Sequence, residues 1–284
     1  MSIAPERSRP VFRKLERSLA KLPSGKQRES VHDFRTSARR LQTLLEDVLP
    51  DQSRNQKKLL RTLSRIRKRA GKVRDLEVQL AALRSLKIPQ EPRRKTQLVD
   101  YLLELHAERE KNLRKALTKE MVREVRKRLK KAEREVKLDS GDDPLAVGQH
   151  LLAQVTMAGG PLTEDVLHQY RILGKRARYA AEFAAKSAEG ERFIAQLKQV
   201  QDALGDWHDW LMLTQTATKQ LGDVRESSLV AVLHNVTGAK FRNAVSAISG
   251  WKREQQAAKQ ERRPAARKAG GKSGVTDTLA SSAA

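Results

Sequence analysis

The sequence contains no cysteine. That excludes disulfides, thiolate metal sites and cysteine nucleophiles. Aromatic residues make up only 4% of the chain, too few for the stacking platforms that hold single-stranded nucleic acids. No apolar run approaches the roughly 20 residues of a membrane-spanning helix. The opening Met1-Ser2-Ile3-Ala4-Pro5-Glu6-Arg7 lacks the apolar core of a secretion signal. The expectation is therefore a cytoplasmic protein with no membrane partner. Acidic residues are also in short supply: 34 Asp+Glu stand against 58 Lys+Arg, a formal net charge of +24.

What is present is basic and helical. A charge this one-sided repels itself in a compact state, so a polymeric anion is the expected partner. Helical periodicity runs from Val11 to about Trp251, and β-branched alternation is nowhere sustained. The breaks fall at Pro and Gly. They predict helices over 10–21, 27–49, 53–86 and 93–138, then 144–157, 163–187, 190–221 and from 227 past 251. Asp139-Ser140-Gly141-Asp142-Asp143-Pro144 is the clearest boundary. The expected division is 1–138, 139–254 and a disordered basic tail over 255–284, whose Ala, Lys, Arg, Gly and Ser cannot bury a core.

Two segments repeat. Val31-His32-Asp33-Phe34-Arg35 leads to Arg39-Arg40, and Leu167-His168-Gln169-Tyr170-Arg171 leads to Lys175-Arg176, 136 residues later. The following helix repeats as well: Gly71…Arg74-Asp75 aligns with Gly205…His208-Asp209 at an offset of 134. Two motifs in the same order at nearly one spacing predict an all-α protein of two similar four-helix bundles related by a pseudo-twofold axis.

At about 100° per residue, His32, Arg35 and Arg39 share one helix face, roughly 100° from the apolar stripe of Phe34, Ala38, Leu41 and Leu45. His168, Arg171 and Lys175 repeat that face, which Arg178 extends, while Arg40 and Arg176 lie on the other flank. Cations at such spacing repel unless something negative sits among them. Arginine suits the role because its planar fork grips phosphate oxygens. Asp75 and Asp209 read as structural partners for the histidines or arginines. Gly71 and Gly205 read as close-packing positions.

On these residues the chain resembles the CHAD family, the conserved-histidine α-helical domain. Val31-His32-Asp33-Phe34-Arg35…Arg39-Arg40-Leu41 is similar to its first signature, and Leu167-His168…Arg171…Lys175-Arg176-Ala177-Arg178-Tyr179 to its second. The resemblance implies two pseudo-symmetric four-helix bundles around a basic central cavity that binds inorganic polyphosphate. It carries over His32, Arg35, Arg39, Arg40, His168, Arg171, Lys175, Arg176 and Arg178 as polyphosphate-binding residues, with no metal and no cofactor. It also suggests a granule-associated or adaptor protein. Two positions depart from the repeat: His208 stands where the first copy has Arg74, and Gln42 where the second has Arg178.

Charge is divided unequally. Residues 1–138 hold 39 Lys+Arg and 18 Asp+Glu, whereas residues 139–251 hold 11 and 13. The expectation is that the first half supplies most of the binding energy, so that charge reversal at Arg35 and Arg39 weakens binding more than at Arg171 and Lys175. Which of Arg65, Arg67, Lys68, Arg69 and Lys72 meet the motif helix is left open. Lys119, Arg123, Arg126, Lys130 and Lys137 lie opposite an apolar face and read as solvated.

Glu133-Arg134-Glu135-Val136-Lys137 matches the E-x-E-x-K signature of triphosphate tunnel enzymes. That signature needs a strand to align its carboxylates, and here the pattern is helical. No P-loop or H-E-x-x-H is present. The expectation is a binding protein rather than an enzyme. The alternatives are a nucleic-acid-binding protein, in which nucleic acid would compete with polyphosphate, and a metal-dependent phosphohydrolase.

Overall fold

The computed structural model describes residues 3–24, 28–49, 51–87, 91–136, 143–156 and 160–261. Among them the chain forms α1 (Pro5–Lys21), α2 (Arg28–Thr43), α3 (Arg54–Ser85), α4 (Pro92–Ala116), α5 (Lys119–Glu135), α6 (Pro144–Thr156), α7 (Glu164–Ala181), α8 (Ala188–Leu221) and α9 (Ser228–Glu261). The all-α expectation holds. No helix among the described residues is long and apolar enough to cross a membrane.

Local chemistry sets most helix starts. Ser53 opens α3 with a capping box, its hydroxyl accepting from the Gln56 N–H while the Gln56 side chain accepts from the Ser53 N–H. Thr163 and Ser187 cap α7 and α8 in the simpler way. Thr118 does the same for α5, and this divides the single helix expected over 93–138 into α4 and α5. The periodicity runs through that break because neither Pro nor Gly marks it.

Four other boundaries differ from expectation. α1 begins at Pro5 rather than 10 and carries Pro10 within it. The end of α2 widens into a π turn, Leu44–Val48, closed by the Leu49 N–H donating to the Leu44 carbonyl at 2.9 Å. α7 stops at Ala181 rather than 187, because Phe183 and Ala184 are buried and pair with the N-terminal segment. There Ile3 and Ala184 form an isolated bridge, and the Ala4 N–H donates to the Phe183 carbonyl at 2.9 Å. α9 continues to Glu261, past the expected start of a tail at 255. The rest of that tail, 262–284, and most of the 139–144 boundary lie outside the described residues.

The element order repeats: short helix, motif helix, then two long antiparallel arms. The arm α9 is continuous where its counterpart is split into α4 and α5. Cores, however, are not divided by halves. The larger cluster joins Phe12, Phe34, Leu41 and Leu129 to Leu145, Tyr170, Leu197 and Trp207. A second cluster lies at the tips of the long arms, where Leu76, Leu83 and Leu98 meet Leu213, Leu221 and Leu233. Each half therefore buries its apolar surface against the other, which is the main favourable term of folding. Glu91 adds a polar tie: its carboxylate accepts from the Ser227 hydroxyl and the Leu229 N–H at the start of α9.

Candidate functional site

Helices α2 and α7 pack against each other, and α3 and α8 lie behind them. The motif residues meet at this crossing, but they do not all do the same thing. Arg40 donates to Glu182 at 2.8 Å, and Arg176 donates to both oxygens of Asp47 in the π turn. Arg178 pairs with Glu182 and donates to the Gln201 amide oxygen at 2.8 Å. It also lies over the Tyr179 ring, 4.7 Å from its centroid. These three expected ligands of an anion thus have internal carboxylate partners, and they tie α7 to α2 and α8. The signal for this was present in Asp47 and Glu182, one at the end of each motif helix.

Arg35 donates to Asp75 at 3.1 Å and lies across α3 at Gly71, where a Cβ would sit 3.8 Å from its Nη2. So Asp75 takes an arginine, and the close neighbour of Gly71 is a side chain rather than a helix backbone. At Gly205 a Cβ would meet nothing within 4 Å, so close packing does not account for this glycine.

Four cations remain: Arg39 of α2, Arg67 of α3, and Arg171 and Lys175 of α7. Among the described residues none has a carboxylate at ion-pair distance. Burial lowers the affinity of Arg39, Arg67 and Arg171 for their protons, and repulsion from Arg35 adds to the effect on all three. Lys175 is pushed down to about 7, first by burial and then by Arg171 and Arg39. Arg67 resolves the choice that the sequence leaves open among Arg65 to Lys72. Asp209 faces Arg171 and Lys175. Burial raises its pKa while those two cations oppose the rise.

The histidines divide. His32 is exposed at the rim, its pKa lowered by partial burial and then by Arg74. His168 stacks in a tilted arrangement against His208, with ring centroids 5.8 Å apart. His208 is pushed down to about 3 by burial, Arg171, His168 and Lys175, so it is neutral at ordinary pH. In the sequence it reads only as a departure from the repeat, yet it belongs to the cluster. Two polar atoms here, Arg171 Nε and His208 Nδ1, are buried without a hydrogen-bond partner. Two hollows lie away from this cluster, along α4 beside Gln220 and between α8 and α9. The expected central cavity takes the form of a half-buried seam between α2, α3, α7 and α8.

The E-x-E-x-K pattern lies on α5, helical through Glu135, with Lys137 outside the described residues. Glu135 is occupied in accepting from the Ser53 hydroxyl at 2.7 Å.

Comparison with known proteins agrees with this architecture. No curated protein matches the sequence. The solved structures that match the fold include these two. One is the crystal structure of the CHAD domain from the plant Ricinus communis, at 18% identity and a TM-score of 0.65, covering 88% of this chain and 92% of that one. The other is PptA from Streptomyces chartreusis, at 17% identity and a TM-score of 0.68, covering 87% and 96%. The family model of the CHAD domain matches residues 8–218. That span takes in both motif helices and the four clustered cations of the seam, and the chain belongs to the CHAD domain family.

Proposed function

We propose that the protein binds inorganic polyphosphate in the seam between α2, α3, α7 and α8. The observation that carries this reading is the group Arg39, Arg67, Arg171 and Lys175: half-buried, mutually repelling and, among the described residues, with no carboxylate at ion-pair distance. Holding such a group together costs free energy that a bound anion returns. A single phosphate carries roughly two negative charges near neutral pH, too few to balance the whole group, whereas a chain carrying one charge per unit can neutralise several cations in sequence. Arg171 Nε and His208 Nδ1 supply unused polar positions in the same seam. Guanidinium forks recognise phosphate oxygens in pairs, and water-poor surroundings strengthen each interaction.

The reading is of binding without turnover, as an adaptor or granule-associated protein. Calorimetric titration with polyphosphates of graded length tests it. Affinity should rise with chain length until the seam is filled, and orthophosphate should bind far more weakly. Chain-length-independent binding, or phosphate release with Mg²⁺ or Mn²⁺, would contradict it.

A further inference from the structure

The outward face of the first half carries a charge pattern that the seam does not use. On α3, Arg54, Lys57, Arg61, Arg65, Lys68 and Lys72 are all exposed, at spacings of three and four residues. They form one row along the helix, about 27 Å long at 1.5 Å per residue. None of them has an ion-pair partner among the described residues. The four inner members have no carboxylate within a helical turn either, since residues 52–74 contain no Asp or Glu. Some cations elsewhere do find carboxylates, as in Arg114–Glu110, Arg128–Glu124 and Lys240–Asp206.

The internal repeat supplies a control within the same chain. At the offset of 134 the corresponding positions on α8 are Ala188, Glu191, Ala195, Gln199, Asp202 and Asp206. Six cations are replaced by three carboxylates and no cation, on a helix of the same length class and place in the fold. The fold therefore does not require the row.

A second row runs beside it. Lys119, Arg123, Arg126, Lys130 and Arg134 are exposed on α5. The two helices are antiparallel neighbours: Asn55 of α3 donates to the Arg128 carbonyl at 3.1 Å, and Ser53 bonds Glu135. Packed helix axes lie roughly 8–10 Å apart, so the rows flank a strip comparable in width to the roughly 12 Å major groove of a duplex. Neither helix contains an aromatic residue, so base stacking is absent and only the phosphate backbone is within reach of recognition.

We infer that the α3–α5 face binds the phosphate backbones of double-stranded nucleic acid without reading sequence, at a site separate from the seam. Two parallel rows suit two strands. A single-file polyanion would need only one of them.

The test uses the full chain and a random 30-base-pair DNA duplex, with binding read by fluorescence anisotropy over a series of KCl concentrations. Two triple variants are compared with wild type: Arg61→Gln/Arg65→Gln/Lys68→Gln on α3 and Arg123→Gln/Arg126→Gln/Lys130→Gln on α5. Each should reduce the steepness of log affinity against log salt by about 2 to 3, at roughly 0.9 for each phosphate no longer neutralised. Reading the difference in slope isolates the face from the basic residues of the C-terminal segment. Both variants should keep wild-type affinity for a short polyphosphate, which separates failure here from failure of the seam. An unchanged slope in either variant overturns the inference. A reduced slope in the α3 variant alone indicates a single-file ligand and overturns it equally.

Discussion

Arg40 and Arg176 occupy the same position in the two motif helices and exchange partners across the molecule. Arg40 of α2 reaches Glu182, just past the end of α7, and Arg176 of α7 reaches Asp47, just past the end of α2. Each helix thus holds the other at its C-terminal end. The repeat extends to the neighbouring pair: Gln42 donates to Glu46 at 2.8 Å where Arg178 pairs with Glu182. The interaction is neutral on the donor side in one copy and charged in the other. The cation absent from the first half is replaced by an amide that makes the same structural bond.

This crossing predicts a stability effect separable from binding. Asp47 is only 6% exposed, so Arg176→Ala leaves a nearly buried carboxylate without its partner. The expected loss is about 1–3 kcal/mol, seen as a fall in melting temperature of roughly 2–4 °C per kcal/mol for a chain of this size. Asp47→Asn/Arg176→Ala together should cost less than the two single changes added. Polyphosphate affinity of the folded protein should change less than about twofold. A large loss of affinity with unchanged melting would assign Arg176 to the binding seam instead.

Lys175 predicts a pH dependence. Its folded pKa, about 7, lies below the ordinary lysine value of 10.5. Between those values the unfolded chain holds the proton and the folded one does not. At this group, stability therefore rises with pH across that window, and the cost of burial is fully present below it. A bound polyanion favours the charged ammonium, so binding above about pH 7 takes up a proton. Affinity should fall as pH rises through that range, by up to about tenfold per pH unit for one coupled proton. Lys175→Arg should flatten the profile while keeping affinity. Calorimetry in two buffers of different ionisation enthalpy at pH 8.5 measures the proton directly, and no uptake would count against the assignment.

The sequence makes the all-helical fold readable because the 3.6-residue period and the Pro and Gly stops act locally. It also brings the right helices to the seam, since Arg39, Arg171 and Lys175 share the motif faces. What it hides are the consequences of long-range pairing. Nothing local tells Arg40 and Arg176 apart from Arg39 and Arg171 as candidates for holding an anion. The difference lies in Asp47 and Glu182, which reach them from the ends of other helices. Likewise Arg67 is one of five cations within eight residues, and only the packing of α3 against α2 turns it inward. The π turn at Leu44–Val48 and the Thr118 cap carry no strong sequence mark, so periodicity alone places neither boundary.

Pairing also changes which residues should matter most. Charge totals point to the first half as the dominant one in binding. Yet Arg35 is already bonded to Asp75, whereas Arg171 and Lys175 face Asp209 without a carboxylate at ion-pair distance among the described residues. Arg171→Ala and Lys175→Ala should therefore weaken polyphosphate binding at least as much as Arg39→Ala, and more than Arg40→Ala. Asp75→Asn gives the sharper test. It frees Arg35 and removes a carboxylate that repels the ligand, an effect of about 1 kcal/mol at an effective dielectric near 20 with partial screening. Affinity should rise about fivefold. A loss of affinity on Asp75→Asn would show that the carboxylate orients Arg35 for the ligand rather than competing with it.

The glycines supply a prediction in which two identical substitutions have opposite signs. Within a helix, alanine is favoured over glycine by about 1 kcal/mol when space permits. Gly205 faces open space, so Gly205→Ala should stabilise by about that amount, raising the melting temperature by a few degrees. Gly148 of α6 is different. A Cβ there would stand 2.6 Å from the Ala177 carbonyl oxygen of α7, a backbone atom that cannot swing aside. Gly148→Ala must push α6 off the motif helix, and overpacking of this kind costs about 1–3 kcal/mol. Because Ala177 lies between Lys175 and the Arg178–Glu182 pair, the displacement should also weaken polyphosphate binding. Gly205→Ala should leave binding intact, and Gly205→Glu, which puts a carboxylate one helical turn from His208 without crowding the backbone, should weaken it. Thermal melts of the three variants with parallel titrations check this. Destabilisation by Gly205→Ala would mean that the seam is closed more tightly than the structure places it.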